Sequence, residues 1–196
     1  MKRMIFLLGL LLILVPCGTA TAGNSSYGLA WSISLPVGDT NDYISQISFR
    51  GATFEWRNHY QRDACYGVNV GWNVFNRSEE TTLNFDNVAV TGKHWRYINA
   101  VPIYASWFKY MSTDKRSSRF FAGGNVGAAW IERRAELGLL RLDDSNWHLA
   151  IAPEVGWNLP WDSFLGYVAV RYNYAFKAGE QEAQQWLELK IGFGLD

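Results

Sequence analysis

The sequence predicts an all-β fold, an eight-stranded antiparallel up-and-down transmembrane β-barrel, and three observations carry that expectation. The first is residues 65–75. Tyr66, Val68, Val70, Trp72 and Val74 are large and apolar, while Cys65, Gly67, Asn69, Gly71 and Asn73 between them are small or polar. A two-residue period sends side chains alternately to opposite faces of a strand. The second is that the face without grease is small and barely charged, unlike the wet face of a soluble sheet. It is shaped to fit a narrow interior, with the bulky face turned to lipid. The third is that the partition recurs in eight segments of about ten residues, the length a tilted strand needs to cross the hydrocarbon layer.

The first strand, 27–37, sets Tyr27, Leu29, Trp31, Ile33, Leu35 and Val37 against Gly28, Ala30, Ser32, Ser34 and Pro36. Pro36 stands at the strand end, where a missing ladder donor is tolerated. Residues 38–42 read as a loop by composition, and 43–50 fit either that loop or an extension of the next strand. The second strand, 51–60, carries Phe54, Trp56 and Tyr60 on one face and Thr53, Glu55, Arg57 and His59 on the other. The third is 65–75. The fourth, 95–110, alternates through Val101, Ile103, Ala105 and Trp107; Phe108 and Tyr110 then fall out of phase, as at a bulge or a strand end.

The fifth strand, 120–131, points Phe120, Ala122, Val126, Ala128 and Trp130 outward and Gly123, Asn125, Gly127 and Ala129 inward. The sixth, 147–159, sets Trp147, Leu149, Ile151, Val155, Trp157 and Leu159 against His148, Ala150, Ala152, Glu154, Gly156 and Asn158. The seventh, 164–176, opposes Val168, Val170, Tyr172 and Tyr174 to Ala169, Arg171, Asn173 and Ala175. The eighth, 184–193, opposes Leu187, Leu189, Ile191 and Phe193 to Trp186, Glu188, Lys190 and Gly192. Connections 61–64, 111–118 and 160–163 are short turns; 38–50, 76–94, 132–146 and 177–183 are longer polar loops. Transmembrane barrels show this asymmetry, with the longer loops outside. Trp and Tyr gather toward the strand ends, as interfacial girdles require.

Composition and the leader agree with export. The chain of 196 residues holds 18 basic and 18 acidic side chains, a balance that specifies no nucleic acid or other polyanionic partner. Residues 1–22 read as a signal peptide: Lys2 and Arg3, an apolar run over 4–15, and Ala20-Thr21-Ala22 ahead of Gly23. Residues 23–196 then form one barrel domain. Cleavage there leaves Cys65 alone, so no intrachain disulfide forms; Cys17 offers an alternative lipidation site. Beyond the leader no stretch has the apolar length of a transmembrane helix.

These features resemble the small eight-stranded outer-membrane barrels, the OmpA/OmpX/OmpW-like superfamily. The resemblance covers the mature chain and rests on the alternation, the Gly-aromatic texture and the loop asymmetry. Residues 186–193 are similar to the closing strand read by barrel-assembly machinery, although the chain continues Gly194-Leu195-Asp196 where such proteins usually end on an aromatic. The resemblance implies an outer-membrane location, contact with lipid and lipopolysaccharide, and a structural or surface-interaction role with loops displayed to an extracellular ligand or host partner. It also keeps open a narrow pore for ionic or hydrophobic solutes and a lipid A-modifying enzyme. A soluble lipocalin-like binder, the other eight-stranded barrel, would need an apolar cup, which the small inner face does not supply.

The candidate site is the set of charges on the inner face: Glu55, Arg57, Glu154, Arg171, Glu188 and Lys190. An eight-stranded interior is filled by side chains, so charges there must neutralise one another. Registers set by the 160–163 and 177–183 connections place Arg171 diagonal to both Glu154 and Glu188. The expected role is a salt-bridge plug, with a gate of exchanging pairs as the alternative. Deacylase chemistry would need His59, His94 or His148 beside a Ser nucleophile; His148 has Ser145 and Asp144 close in sequence, but no His-x-Ser spacing occurs. No metal-ligand spacing, cofactor motif or enzymatic constellation is expected, and Cys65 reads as a small packing residue.

Overall fold

A computed structural model of the chain describes residues 25–85, 88–114, 117–137, 140–161 and 164–195. The expected signal peptide 1–22, Cys17 and Asp196 lie outside the described residues. In chain order the elements are β1 (Ser25–Val37), α1 (Gly38–Tyr43), β2 (Gly51–Gln61), β3 (Ala64–Phe85), β4 (Val88–Tyr110), β5 (Arg119–Leu137), β6 (Leu140–Pro160), β7 (Leu165–Ala175) and β8 (Gln184–Leu195). Each strand pairs antiparallel with the next, and β1 pairs with β8 from Tyr27↔Leu195 to Val37↔Gln185. The sheet closes into an eight-stranded barrel.

The alternation decides the faces. Val68, Trp72, Trp107, Val126, Trp147, Val155 and Phe193 are exposed on the outside, whereas Ser32, Thr53, Asn69, Asn73, Ala152 and Arg171 are buried within. A surface of this kind would be untenable in water and is what acyl chains require. Aromatic pairs link neighbouring strands on the outer face. Phe120 stacks on Trp157 with centroids 4.9 Å apart, and the Trp107 indole donates to the Tyr60 hydroxyl at 3.0 Å.

Three expectations are corrected. Among the described residues, 76–85, 88–94, 132–137 and 140–146 are strand and not loop: the β3–β4 ladder runs unbroken from Asn73↔Ala100 to Phe85↔Val88, and the β5–β6 ladder from Arg119↔Asn158 to Leu137↔Leu140. At about 3.3 Å per residue, the 23 residues of β4 reach roughly 75 Å, far more than a bilayer core of ~30 Å needs. Along the surplus the sequence carries no period-two signal, so nothing there marks a strand. Second, Phe108 and Tyr110 mark no bulge; of the two alternatives the strand end holds, since β4 ends at Tyr110. The β4–β5 pairing continues evenly to Tyr110↔Phe121, and both rings lie on the inner phase, 1% and 2% exposed. Third, 38–42 is not a plain loop but most of α1, entered through Gly38 at φ 53°, a left-handed conformation that favours glycine.

The connection from α1 to β2 turns back into the barrel mouth. Ile44 is fully buried among Phe75, Ile98, Ile131 and Trp186, and Ser48 exchanges backbone hydrogen bonds with Ser34 of β1, both 2.8 Å long. A second inner cluster, Cys65, Phe108, Tyr110, Phe121, Tyr167, Ala169 and Ala30, fills the end near the short turns. The lumen is therefore stacked in layers, apolar at the mouth and aromatic at the opposite end.

Gly156 shows how tightly the lower layer is fitted. A Cβ at this position would collide with the Phe121 ring. Gly156→Val should destabilise the barrel by about 1–3 kcal/mol, read from urea unfolding in lipid vesicles. An unchanged midpoint would mean that Phe121 is not packed against β6.

Candidate functional site

Between the apolar and aromatic layers lies a layer of charge. β2 supplies Glu55 and Arg57, β6 Glu154, β7 Arg171, and β8 Glu188 and Lys190. All six are on the inner phase, and none is more than 7% exposed. Three cations face three carboxylates, so the layer is formally neutral, the condition under which buried charge persists.

Two centres organise it. Arg171 donates through Nε and Nη2 to Glu188 Oε2 at 3.1 and 2.7 Å, and through Nη1 to Asn69 Oδ1 at 2.9 Å. Glu188 also accepts from Asn173 Nδ2 at 3.0 Å and from Thr53 Oγ1 at 3.1 Å. Lys190 is the second centre: its Nζ lies 2.5 Å from both Glu55 Oε1 and Glu154 Oε1. Arg57 completes that group, holding Glu55 Oε2 at 2.6 and 3.1 Å and donating to the Tyr110 hydroxyl at 3.1 Å. Its guanidinium stands 4.5 Å from the centroid of Phe108 and 4.7 Å from that of Phe121. This cation–π seat explains why two aromatic rings occupy the inner phase beside it.

The register differs from the expected one. Arg171 is directly opposite both Glu154 and Glu188, not diagonal to them. It pairs only with Glu188, because Lys190 and the Asn125 amide, 3.3 Å from Oε2, take Glu154. The polar residues that complete the layer were not singled out as a group by sequence: Asn69, Asn125, Asn173, Thr53 and Tyr104. Their only signal is parity, since all lie on the small-residue phase.

The histidines are dispersed. His148 Nδ1 lies 2.7 Å from the Phe176 carbonyl, and Nε2 lies 2.8 Å from Gln181 Oε1, so both ring nitrogens are engaged. His59 packs on Tyr110 near the short turns, and His94 sits on the tall β3–β4 hairpin opposite Glu79. Ser145 and Asp144 belong to β6 itself, opposite Glu132 and Arg133. Cys65 is buried and its sulfur lies 3.8 Å from the Tyr110 hydroxyl. No group of three His, Cys, Asp or Glu residues able to hold a metal occurs among the described residues. Below the charged layer a cavity of about 20 Å³, bordered by Arg57, Asn158 and Tyr167, has room for one water. The Asn158 amide and the Tyr167 hydroxyl have no protein partner there, as hydrated groups would not.

No family model matches the sequence, and no curated protein matches it significantly. Solved structures do. Ail, the attachment invasion locus protein of Yersinia pestis, crystallised with the heparin analogue sucrose octasulfate, superposes with a TM-score of 0.53 at 14% identity, over 88% of this chain and 97% of Ail. Neisserial surface protein A superposes with a TM-score of 0.52 at 12% identity, over 87% of this chain and 94% of its own. Such distant identity speaks for shape alone, and the shape agrees with the closed ladder, the greasy exterior and the tall hairpins. The chain has the fold of the small eight-stranded outer-membrane β-barrels.

Proposed function

We propose that this protein is an integral outer-membrane barrel with a shut lumen, whose work is done by the structures it displays outside. The observation that carries the reading is the double closure of the interior. The charged side chains fill the middle of the lumen and are almost wholly buried, and above them Ile44, Phe75, Ile98, Ile131 and Trp186 form an apolar seal. An ion crossing that seal would lose its hydration without gaining a ligand. A scaffold of this kind supports the tall hairpins β3–β4 and β5–β6 and the α1 connection rigidly above the membrane. Ail, of the same fold, carries a sulfated ligand in its crystal structure, which supports a surface-interaction role over a transport role.

In this reading residues 1–22 direct export, lipid and lipopolysaccharide surround the outer face, and β8 is the strand offered to the barrel-assembly machinery. Glu55, Arg57, Glu154, Arg171, Glu188 and Lys190 act as a structural plug and not as a gate. Catalysis has no part in it.

Two measurements test the proposal. Purified protein in planar bilayers should give no steady unitary currents; reproducible openings would replace the closed scaffold with a pore. Arg171→Ala should leave Glu188 without its cation while Glu154 keeps Lys190, costing about 3–5 kcal/mol, the usual penalty for breaking one side of a buried pair. Urea unfolding read through tryptophan fluorescence checks this, and an Arg171→Ala barrel as stable as the parent would remove the plug from the account.

A further inference from the structure

Above the seal, on the same lumen-facing phase, lie cations that the charged layer does not use. Arg96 of β4 is two residues beyond Ile98, and Arg133 of β5 two beyond Ile131, both buried members of the apolar seal. Both guanidiniums pack on one ring: Arg96 lies 5.3 Å and Arg133 4.5 Å from the centroid of Tyr43, the last residue of α1. Arg96 also donates to the Tyr43 carbonyl at 3.2 Å, and the Tyr43 hydroxyl to the Arg134 carbonyl at 3.3 Å. Arg77 of β3 is directly opposite Arg96 and donates to Ser45 Oγ at 2.7 Å.

Acidic groups surround this cluster, but those with a defined pairing serve other partners. Among the described residues, no carboxylate lies within ion-pair distance of Arg96 or Arg133. Glu132 and Asp143 hold Arg134 at 3.1 and 3.0 Å, Asp143 also holds Arg141 at 2.7 Å, and Glu182 holds Lys177 at 2.6 Å. Asp144, opposite Arg133 in register, accepts from Asn146 at 3.3 Å. Asp39 stands in the first turn of α1. The Arg133 Nε–H is buried with no acceptor. Burial lowers Arg133 below its ordinary value, against the opposite pull of Tyr43, Asp144, Asp39 and Glu182, as for a half-buried cation short of counter-charge.

We propose that Arg96 and Arg133, packed beside Tyr43, form an oxyanion-binding site at the outer mouth of the barrel that takes a sulfate, phosphate or carboxylate group of a soluble polyanion. Guanidinium forks match the oxygen spacing of these groups and give short, charge-assisted hydrogen bonds. The ligand comes from solution and not from lipopolysaccharide, because these arginines share the phase of Ile98 and Ile131 and point into the mouth. Head groups of the surrounding lipid meet the opposite phase, to which Arg134 belongs. The site deepens the reading of the barrel as a surface-interaction scaffold and rests on it, yet its failure would leave the closed lumen untouched, because conductance does not depend on it.

The test uses the protein in nanodiscs of zwitterionic lipid without lipopolysaccharide, titrated calorimetrically with sucrose octasulfate and with inositol hexakisphosphate. Binding should be measurable and should weaken as salt rises. The Arg96→Gln/Arg133→Gln double variant should bind at least tenfold more weakly, whereas Arg134→Gln, already ion-paired on the other phase, should bind as the parent does. Asp144→Asn removes the carboxylate facing Arg133 and should tighten binding severalfold, which keeps the site testable if the double variant fails to fold. Parent-like binding by the folded double variant, weaker binding by Asp144→Asn, or binding that needs lipopolysaccharide in the disc would overturn the assignment.

Discussion

A ring of eight strands encloses just enough space for its own side chains, and in this chain the middle of that space is given to six ions. Every other interior feature follows from keeping them neutral and dry. Arg171 and Glu188 satisfy each other across adjacent strands, while Lys190 reaches past its own neighbours to bridge Glu55 and Glu154. The amides of Asn125 and Asn173 donate to carboxylate lone pairs that ion pairing leaves over, and the Asn69 carbonyl accepts from Arg171. Rings sit below to seat Arg57, and aliphatic side chains sit above to exclude water. Buried pairs of this sort contribute less to net stability than well-packed apolar residues would, but they punish misregistration severely. A slip of β8 by one residue would turn Glu188 and Lys190 toward lipid.

The exterior obeys the complementary rule. Lipid offers no hydrogen bonds, which suits an outward phase dominated by apolar and aromatic side chains. Indoles and phenols on that face find local partners, as Trp72 does with Asn99 at 2.6 Å and Trp31 with the Phe49 carbonyl at 2.8 Å.

The strands and their faces were legible in the sequence because lipid on one side and a narrow lumen on the other impose opposite demands on alternate residues. Where that contrast disappears, so does legibility. Residues 76–85 and 140–146 are strand, yet their sequence lacks the alternation of large apolar with small residues, and nothing in the pattern distinguishes them from loop. Phe108 and Tyr110 looked out of phase because bulk was equated with the outside; beside Arg57, aromatic bulk belongs within. The charged set was legible by parity, but its pairing was not. Lysine and arginine side chains span more than one register position, so Lys190 could reach Glu154 even though the ladder set Arg171 opposite it. The mouth cluster was invisible for a related reason: Tyr43 meets Arg96 and Arg133 only because α1 folds inward.

One small contact ties the chain's two extremities together. Thr40 of α1 accepts from the Gln185 amide at 2.7 Å and donates to Gln184 at 3.3 Å, at the start of β8 and beside the join between first and last strands. Those bonds cannot exist until the circle is complete, because one partner arrives with the last strand. The stopper in the mouth is thus fastened by the same event that zips the cylinder shut, and a half-assembled intermediate, with its final strand still unpaired, would stand uncorked.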